Sequence, residues 1–537
     1  MFGFASVLEE APLGFVARAA EDTLLLRLPA EVIRPILERP AAARFIAHSM
    51  NKGVRLLAGH EDAPSPSTAG RQVRELIRAA PLLCPPGTSV REAAQGMVDA
   101  GVTCAVVDLG DRLGIVTDRD LRTRVVATGA GPETPISEVM SAPAWTVAAD
   151  STGTEALLTM LDHGVRHLPV LDPGRRLIGV LDDVDLMASE RRAPFRLRAT
   201  IARSDDADAV ARAASELPET IIALQDAGLP AAAVSRAIAS IHDSVTTRLI
   251  DLRHTEHGPP PVPYTWLAMG SFGRFEPFPS SDVDCALAWE GPDDEGLRSE
   301  MQALAEGILS GLASSGFRPD PQGAVASKAL FARSIDAWEQ AAREWVEQPD
   351  RRRGLMLLSV VVESNAVWGA TAAADRIGAA FAQAAGREAT LKRLAAAALV
   401  ERPPTGFRRQ FVLHSSGERK GVLDIKRRGL QPIESLARWS GLAAGVSAAS
   451  TRARIEASEE AGTLDPGDAI LLRDAYELVC ALRMEHQVEQ LRGGVAPDNL
   501  IDPRSLAPLT RTSLKEAFRG VARVQRGIRL KLGFAAR

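Results

Sequence analysis

Leu267-Ala-Met-Gly-Ser-Phe-Gly-Arg-Phe-Glu-Pro-Phe-Pro-Ser-Ser-Asp-Val-Asp-Cys-Ala-Leu287 is the most informative stretch of the chain. The apolar run Tyr264 to Met269 predicts a strand ending at Gly270-Ser271, and the run Val283 to Trp289 predicts a second. Glycine lets the backbone turn sharply and approach a ligand closely. The amides after it and the Ser271 hydroxyl suit phosphate oxygens. Arg274, in the same turn, is placed to pair with a phosphate. Asp282 and Asp284 are two residues apart, so on a strand both carboxylates project from one face. Such a pair suits a hard divalent cation, and phosphoryl-type transfer depends on this kind of positioning and charge neutralisation. Alone, Asp-x-Asp usually marks a solvated turn and Gly-Ser means little. The weight lies in their order: strand, Gly-Ser, basic turn, Ser281-Asp282-Val283-Asp284, strand.

This stretch resembles the active-site signature of nucleotidyltransferases of the DNA-polymerase-beta type. The resemblance is closer to the N-terminal domain of bacterial PII-protein uridylyltransferases. Their pattern is Gly-Ser-x-Gly-Arg-x-Glu, a short spacer, then Ser-Asp-x-Asp. Gly270, Ser271, Gly273, Arg274, Glu276, Ser281, Asp282 and Asp284 meet every fixed position. The resemblance implies that Asp282 and Asp284 are catalytic ligands of Mg2+ (or Mn2+). It implies that Gly270, Ser271, Gly273 and Arg274 hold an NTP substrate, and that Glu276 braces Arg274. A third carboxylate is common in that superfamily. Glu363 and Asp320 are the candidates here, and Glu363 is taken as the catalytic one. A Glu363 that sits at a helix end and pairs with a neighbour is an equally good reading. Asn365 stands where related uridylyltransferases carry an arginine.

The implied activity is transfer of a nucleoside monophosphate from an NTP to an acceptor, either a small acidic protein or a small molecule. The alternative is a non-catalytic nucleotide-sensing protein in signalling or assembly. No paired His-Asp phosphohydrolase signature is present, so no uridylyl-removing activity is expected.

An internal repeat occupies residues 72–190. Met97-Val-Asp-Ala-Gly-Val102 returns as Met160-Leu-Asp-His-Gly-Val165, and Gly114-Ile-Val-Thr-Asp-Arg-Asp-Leu121 returns as Gly179-Val-Leu-Asp-Asp-Val-Asp-Leu186. Ser89 with Glu92, and Thr152 with Glu155, predict capping boxes that open a helix in each copy. Apolar strands and a second helix follow, an α/β pattern. The unit resembles a tandem CBS pair, which implies a sensor of adenosine nucleotides (ATP, ADP or AMP) and a homodimer formed through the pair. The ligand motif Gly-h-x-Thr/Ser-x-x-Asp is met by Gly114, Thr117 and Asp120. In the second copy Asp182 replaces the hydroxyl residue and Asp185 follows. A carboxylate beside phosphate is repulsive, so at most one good site is expected, at Thr117 and Asp120. A purely structural pair is as good a reading.

Residues 1–60 resemble the tail of a cyclic-nucleotide-binding domain, through Ala17-Arg-Ala-Ala-Glu-Asp-Thr-Leu-Leu-Leu-Arg-Leu-Pro29. The phosphate-cassette Glu and Arg are missing, so no cAMP binding is expected. Gly59 to Gly70 reads as a linker. Residues 195–258 predict a connector of two or three helices, closed by Gly258-Pro-Pro-Pro-Val-Pro263. The transferase-like domain spans 259–385. Residues 390–537 resemble the helical substrate-binding domain that accompanies this transferase type, through Pro403-Pro-Thr-Gly-Phe-Arg-Arg409, Leu423-Asp-Ile-Lys-Arg-Arg-Gly429, Leu482-Arg-Met-Glu-His-Gln487 and Pro497-Asp-Asn-Leu-Ile-Asp-Pro503. Lys426 is a candidate nucleotide contact there. A solvated basic face is the alternative. His486 reads as a packing residue, not a base. The expected fold class is therefore multidomain α/β and α.

Bulk properties agree. With 537 residues the chain has room for several domains of roughly 100–200 residues. A net charge of -5 gives no support to nucleic-acid binding. The 4 cysteines show no metal or disulfide spacing, which fits a reducing cytoplasm. No apolar run reaches the ~20 residues of a membrane helix.

Overall fold

The computed structural model describes residues 72–77, 80–110, 112–183, 193–347, 354–385, 387–404, 421–446 and 450–533. The readings of residues 1–60, the linker, most of Pro403–Arg409 and Asp185 lie outside the described residues. The architecture is multidomain, with α/β units followed by a helical domain.

Each half of the repeat is a small α/β unit. In the first, β1 (Leu83–Cys84) runs parallel to β2 (Cys104–Asp108), which pairs with β3 (Leu113–Thr117). Between them lies α1 (Val90–Ala100), opened by the Ser89–Glu92 capping box and closed by left-handed Gly101. In the second, β4 (Val147–Ala148), α2 (Gly153–His163), β5 (His167–Leu171) and β6 (Leu177–Asp182) repeat the pattern, with Thr152–Glu155 as the box and Gly164 as the stop. The first copy buries a core of its own around Met97, Val107 and Ile136. The second shares a continuous core with everything C-terminal to it.

The connector has four helices, one more than the upper expectation: α3 (Ala193–Ala202), α4 (Ala207–Ala214), α5 (Leu217–Asp226) and α6 (Ala231–His257). The extra break is chemical. Asp206 turns aside to accept the Ala209 amide at 2.6 Å and starts a helix. Pro218 lies in the first turn of α5 and Pro230 caps α6, positions where a missing amide costs nothing. The long α6 is the spine of the molecule, with Val234, Ile241, Val245 and Ile250 fully buried. It stops at Gly258, before the proline run.

The central domain is built on a four-stranded sheet of order β10-β7-β8-β9. Its elements are β7 (Tyr264–Ala268), the single turn α7 (Gly270–Gly273), β8 (Cys285–Trp289), α8 (Glu295–Ser314), β9 (Ala332–Ser334), α9 (Ile335–Glu347), α10 (Gly354–Val361), β10 (Asn365–Trp368) and α11 (Thr371–Ala385). Strands β7 and β8 are buried at every position, because helices cover both faces; this is why they read as unbroken apolar runs. Their antiparallel register sets Ala268 opposite Cys285. It therefore brings the residues just beyond each strand end, the Gly-Ser turn and Asp284, together.

The C-terminal domain comprises α12 (Glu388–Ala398), β11 (Leu423–Asp424), a wide helical turn Lys426–Leu430, α13 (Gln431–Ala443), α14 (Thr451–Glu460), α15 (Pro466–Arg492), β12 (Leu500–Ile501) and α16 (Pro508–Lys531). Pairing of β11 with β12 ties Asp424 to Leu500 and holds the Lys426 turn in place. Among the described residues no helix is long and apolar enough to cross a membrane.

Candidate active site

The signature folds into one contiguous feature. The Met269 amide donates to the Asp284 carbonyl at 2.9 Å, extending the β7–β8 ladder by one rung. Gly270 then takes a left-handed backbone (φ +55°), and a Cβ there would stand 2.3 Å from Asp284 Oδ2. The turn and the carboxylate thus share a space that only glycine leaves open. Gly273 is constrained from the other side: its Cβ would fall 1.9 Å from the Glu363 carbonyl oxygen. Ser271 is part-buried beside them.

Asp282 and Asp284 are part-buried, and Val283 between them is fully buried, as alternation along an extended segment requires. A parallel bridge lays Pro319 beside Val283, with the Val283 amide donating to Arg318 O and the Asp320 amide to Val283 O. The bridge carries Asp320 to the same edge, where Asp320 Oδ2 accepts the Ala324 amide at 2.9 Å. Burial pushes the Asp284 carboxyl up, Asp320 and Asp282 push it further, and Lys426 and Arg274 pull it down; the balance lies at about 7. Lys426 thus brings a positive charge from the C-terminal domain to the carboxylate edge.

These residues fit a divalent cation in their chemistry. Neither Asp282 nor Asp284 has a hydrogen bond or ion pair among the described residues, and crowding of carboxylates out of water favours any cation that joins them. The grouping is incomplete, however: among the described residues no three His, Cys, Asp or Glu side chains are gathered closely enough to hold a metal ion.

Two expectations are corrected. Arg274 does not face the cleft as a phosphate contact. It is 5% exposed, and its guanidinium is spent on three carboxylates: Glu276 at 2.8 Å, Glu434 at 2.8 Å, and Glu363. Nor is Glu363 a free third carboxylate. It is 2% exposed and accepts from Arg274, from Arg438 at 2.7 Å and from Arg454 at 2.6 Å. The cause is steric as well as electrostatic. The Glu363 backbone passes over Gly273, so its side chain enters the domain junction beneath the signature turn. Burial pushes its carboxyl up, but the three arginines outweigh burial and hold it below the usual carboxylate range. The role of Glu276 as a brace for Arg274 is what the geometry shows. Glu276 also accepts the Thr451 amide at 2.6 Å and hydroxyl at 2.8 Å. The network joins the signature turn to α13 and α14.

A second clamp holds the loop that leads to Asp282. Gln487 Nε2 donates to Ser280 Oγ at 2.7 Å, and the Ser280 amide donates to Gln487 Oε1 at 3.1 Å. The Arg483 guanidinium stacks over the Phe278 ring at 4.0 Å and donates to Asn499 at 2.8 Å. His486 Nε2 lies 3.1 Å from Asp498 Oδ1. Sequence reasoning singled out neither Glu434 nor Arg454, because both lie on ordinary amphipathic helices. Gln487 and Asn499 lay in quoted motifs without an assigned role.

In the first repeat copy, Thr117 Oγ1 donates to Asp120 Oδ2 at 2.7 Å, so the structure brings the two motif groups together at the start of a helical turn. In the second, Asp182 lies 3.1 Å from His167 Nε2 of its own copy and accepts from Thr103 Oγ1 of the first copy at 3.3 Å, so its carboxylate is already engaged.

Comparison with known proteins follows this division. Residues 215–352 match the family described as "Putative nucleotidyltransferase DUF294", and residues 388–532 match its "Putative nucleotidyltransferase substrate binding domain". Residues 73–127 and 136–191 each match the CBS domain. The chain is 40% identical over 121 residues to CBS domain-containing protein CBSCBSPB3 of Arabidopsis thaliana, covering 22% of each chain. It is 33% identical over 121 residues to the uncharacterized protein MK0525 of Methanopyrus kandleri, covering 22% of this chain and 62% of that one. The chain thus spans about a fifth of the plant relative and under two thirds of the archaeal one. Among solved structures, the Pyrobaculum aerophilum CBS domain protein PAE2072 complexed with AMP is similar at 27% identity over 21% of this chain and 89% of that one, with a TM-score of 0.20.

Proposed function

We propose, from the membership of this chain in the family described as "Putative nucleotidyltransferase DUF294" and its possession of a tandem CBS pair, that it is a magnesium-dependent cytoplasmic nucleotidyltransferase. Asp282 and Asp284 carry the reading: two carboxylates with no hydrogen bond or ion pair among the described residues, of which Asp284 lies against Gly270 and feels the charge of Lys426. In this reading the turn and Ser271 receive the triphosphate of an NTP, and Lys426 neutralises part of its charge. Magnesium, when bound at Asp282 and Asp284, supplies the remaining charge neutralisation. An acceptor hydroxyl, on a small protein or a small molecule, forms a bond to the α-phosphorus. The bond from that phosphorus to the bridging oxygen breaks, pyrophosphate leaves with the electron pair, and the hydroxyl proton is released. Asp320 replaces Glu363 as the proposed third carboxylate, since it lies at the same edge. The CBS pair is proposed to bind an adenosine nucleotide at Thr117 and Asp120 and to form a homodimer.

Transfer of label from each α-labelled NTP into lysate acceptors tests the activity. Incorporation that disappears in Asp282→Ala with Asp284→Ala supports it; incorporation that persists there sinks it. One observation favours a second reading, a nucleotide-holding sensor without turnover: the incomplete carboxylate grouping. Metal-dependent NTP binding with no incorporation from any of the NTPs would select that reading.

A further inference from the structure

A cleft of about 780 Å³ opens between the second CBS copy, the connector helices and the central domain. Asp282, Asp284, Thr117 and Asp120 do not line it. Among the described residues, six arginines and four aspartates line it. Two of the arginines are spent on ion pairs: Arg166 with Asp183 at 2.8 Å, and Arg236 with Asp162. The other four, Arg119, Arg196, Arg198 and Arg248, have no ion pair among the described residues. Arg198 donates to Ser244 at 2.9 Å and Arg248 to the Ser204 carbonyl at 2.7 Å, so both guanidiniums are held in place by neutral groups. Of the remaining aspartates, Asp243 lies 3.0 Å from His242 Nδ1. Asp251 is the other.

Surface arginines ordinarily point into water at little cost. Arg198 does not: it is largely buried, and burial together with the positive charge of Arg119 disfavours its charged form, with Asp243 opposing in part. Guanidiniums without an ion pair among the described residues line the cleft from a CBS turn (Arg119), from α3 (Arg196, Arg198) and from α6 (Arg248), and several guanidiniums about one cleft suit phosphate. The volume lies within the range of small-ligand sites.

The cleft also touches the signature. Phe275 lines it, and Phe275 is the residue between Arg274 and Glu276. Its backbone is left-handed (φ 58°), rare for a bulky side chain and sustained only where the surroundings impose it. Val367 of β10, the strand beside β7, lines it too.

We propose that this cleft binds a small phosphate-rich anion through Arg119, Arg196, Arg198 and Arg248, and that its occupancy is transmitted to the signature turn through Phe275. The site takes Arg119 from between Thr117 and Asp120 but uses neither of those side chains, and it links the CBS pair to the central domain.

Calorimetric titration of the full chain with inorganic tripolyphosphate, in EDTA so that no divalent cation assists, tests the site. Saturable binding is expected, weakened at least tenfold in Arg196→Ser with Arg198→Ser and also in Arg196→Glu alone, whose exposed side chain leaves folding unaffected. Arg504→Ser, at an exposed arginine that does not line the cleft, should bind as the wild type does. Hydrogen exchange of the peptide covering residues 268–276 should slow on addition of tripolyphosphate in the wild type and not in the arginine variants. Absence of saturable binding, binding indifferent to both arginine variants, or binding weakened equally in Arg504→Ser overturns the site. Unchanged exchange at 268–276 while the cleft is saturated overturns the coupling. None of these readouts needs catalysis, so they stand apart from the transferase test.

Discussion

The Asp284 carboxylate lies against the bare α-carbon of Gly270, so close that a methyl group there would stand 2.3 Å from Oδ2. The left-handed backbone of Gly270 adds a second bar to any side chain, about 1–2 kcal/mol. Gly270→Ala should therefore displace the carboxylate and lower nucleotidyl transfer by roughly 100-fold or more, since displacements near 1 Å have that effect. The fold should survive with a modest fall in melting temperature. Wild-type turnover in Gly270→Ala would mean that the contact does not matter.

Glu363 is the hub of the junction between the two C-terminal domains, with three arginines on one buried carboxylate. Removing one partner from such a set strands like charges out of water, at a cost of about 3–5 kcal/mol. Glu363→Gln should lower the urea midpoint accordingly and reduce activity only through the fold. Arg274→Lys should not rescue the network, because an ammonium cannot span three carboxylates as a planar guanidinium does.

The same carboxylate sets a pH dependence. Its folded pKa is held below the usual range, so the folded state binds its proton less readily than the unfolded chain. Its contribution is complete above the unfolded value, roughly 4.3. It is lost as pH falls from there toward the lower folded value. Urea midpoints measured from pH 7 to pH 3 should show the wild type losing its advantage over Glu363→Gln only below about pH 4.3. A gap that closes near neutrality would contradict the assignment.

Lys426 acts across the domain boundary on Asp284. Lys426→Ala should raise KM for the NTP about tenfold, the equivalent of roughly 1.4 kcal/mol, and leave the melting temperature near wild type. An unchanged KM would return Lys426 to a solvated basic surface.

Thr117 caps the turn that holds Asp120, through an amide and a hydroxyl bond. Thr117→Val should weaken adenosine-nucleotide binding in calorimetry and destabilise the first repeat copy by about 1 kcal/mol. Binding of ATP, ADP and AMP with wild-type affinity in this variant would remove the motif from the site.

Much was legible along the chain because it depends on neighbours a few residues apart. The capping boxes at Ser89 and Thr152, the two apolar strands around the signature, the proline stop after His257 and the duplicated α/β unit all follow from local spacing, while the CBS reading of that unit rests on resemblance. The alternation of part-buried Asp282 and Asp284 about buried Val283 also follows the local pattern, although the strand itself begins at Cys285. The connector's helix count was harder, because Asp206 breaks a pattern whose helical periodicity continues on both sides.

What spacing could not reveal were the long-range charge partners. Arg274 and Glu363 are 89 positions apart, and Arg274 and Glu434 are 160 apart; their pairing arises when the Glu363 backbone crosses Gly273 and α13 packs beneath it. An arginine in a Gly-Ser turn and a glutamate after an apolar run read as ligand contacts until the fold removes both from water. Asp320 reached the carboxylate edge through a backbone bridge to Val283, which no periodicity announces. Local order follows from bonds between near neighbours and can be read in advance. Which charges end up facing each other depends on how separate elements pack, because burial and distance set electrostatic energies and both exist only in three dimensions.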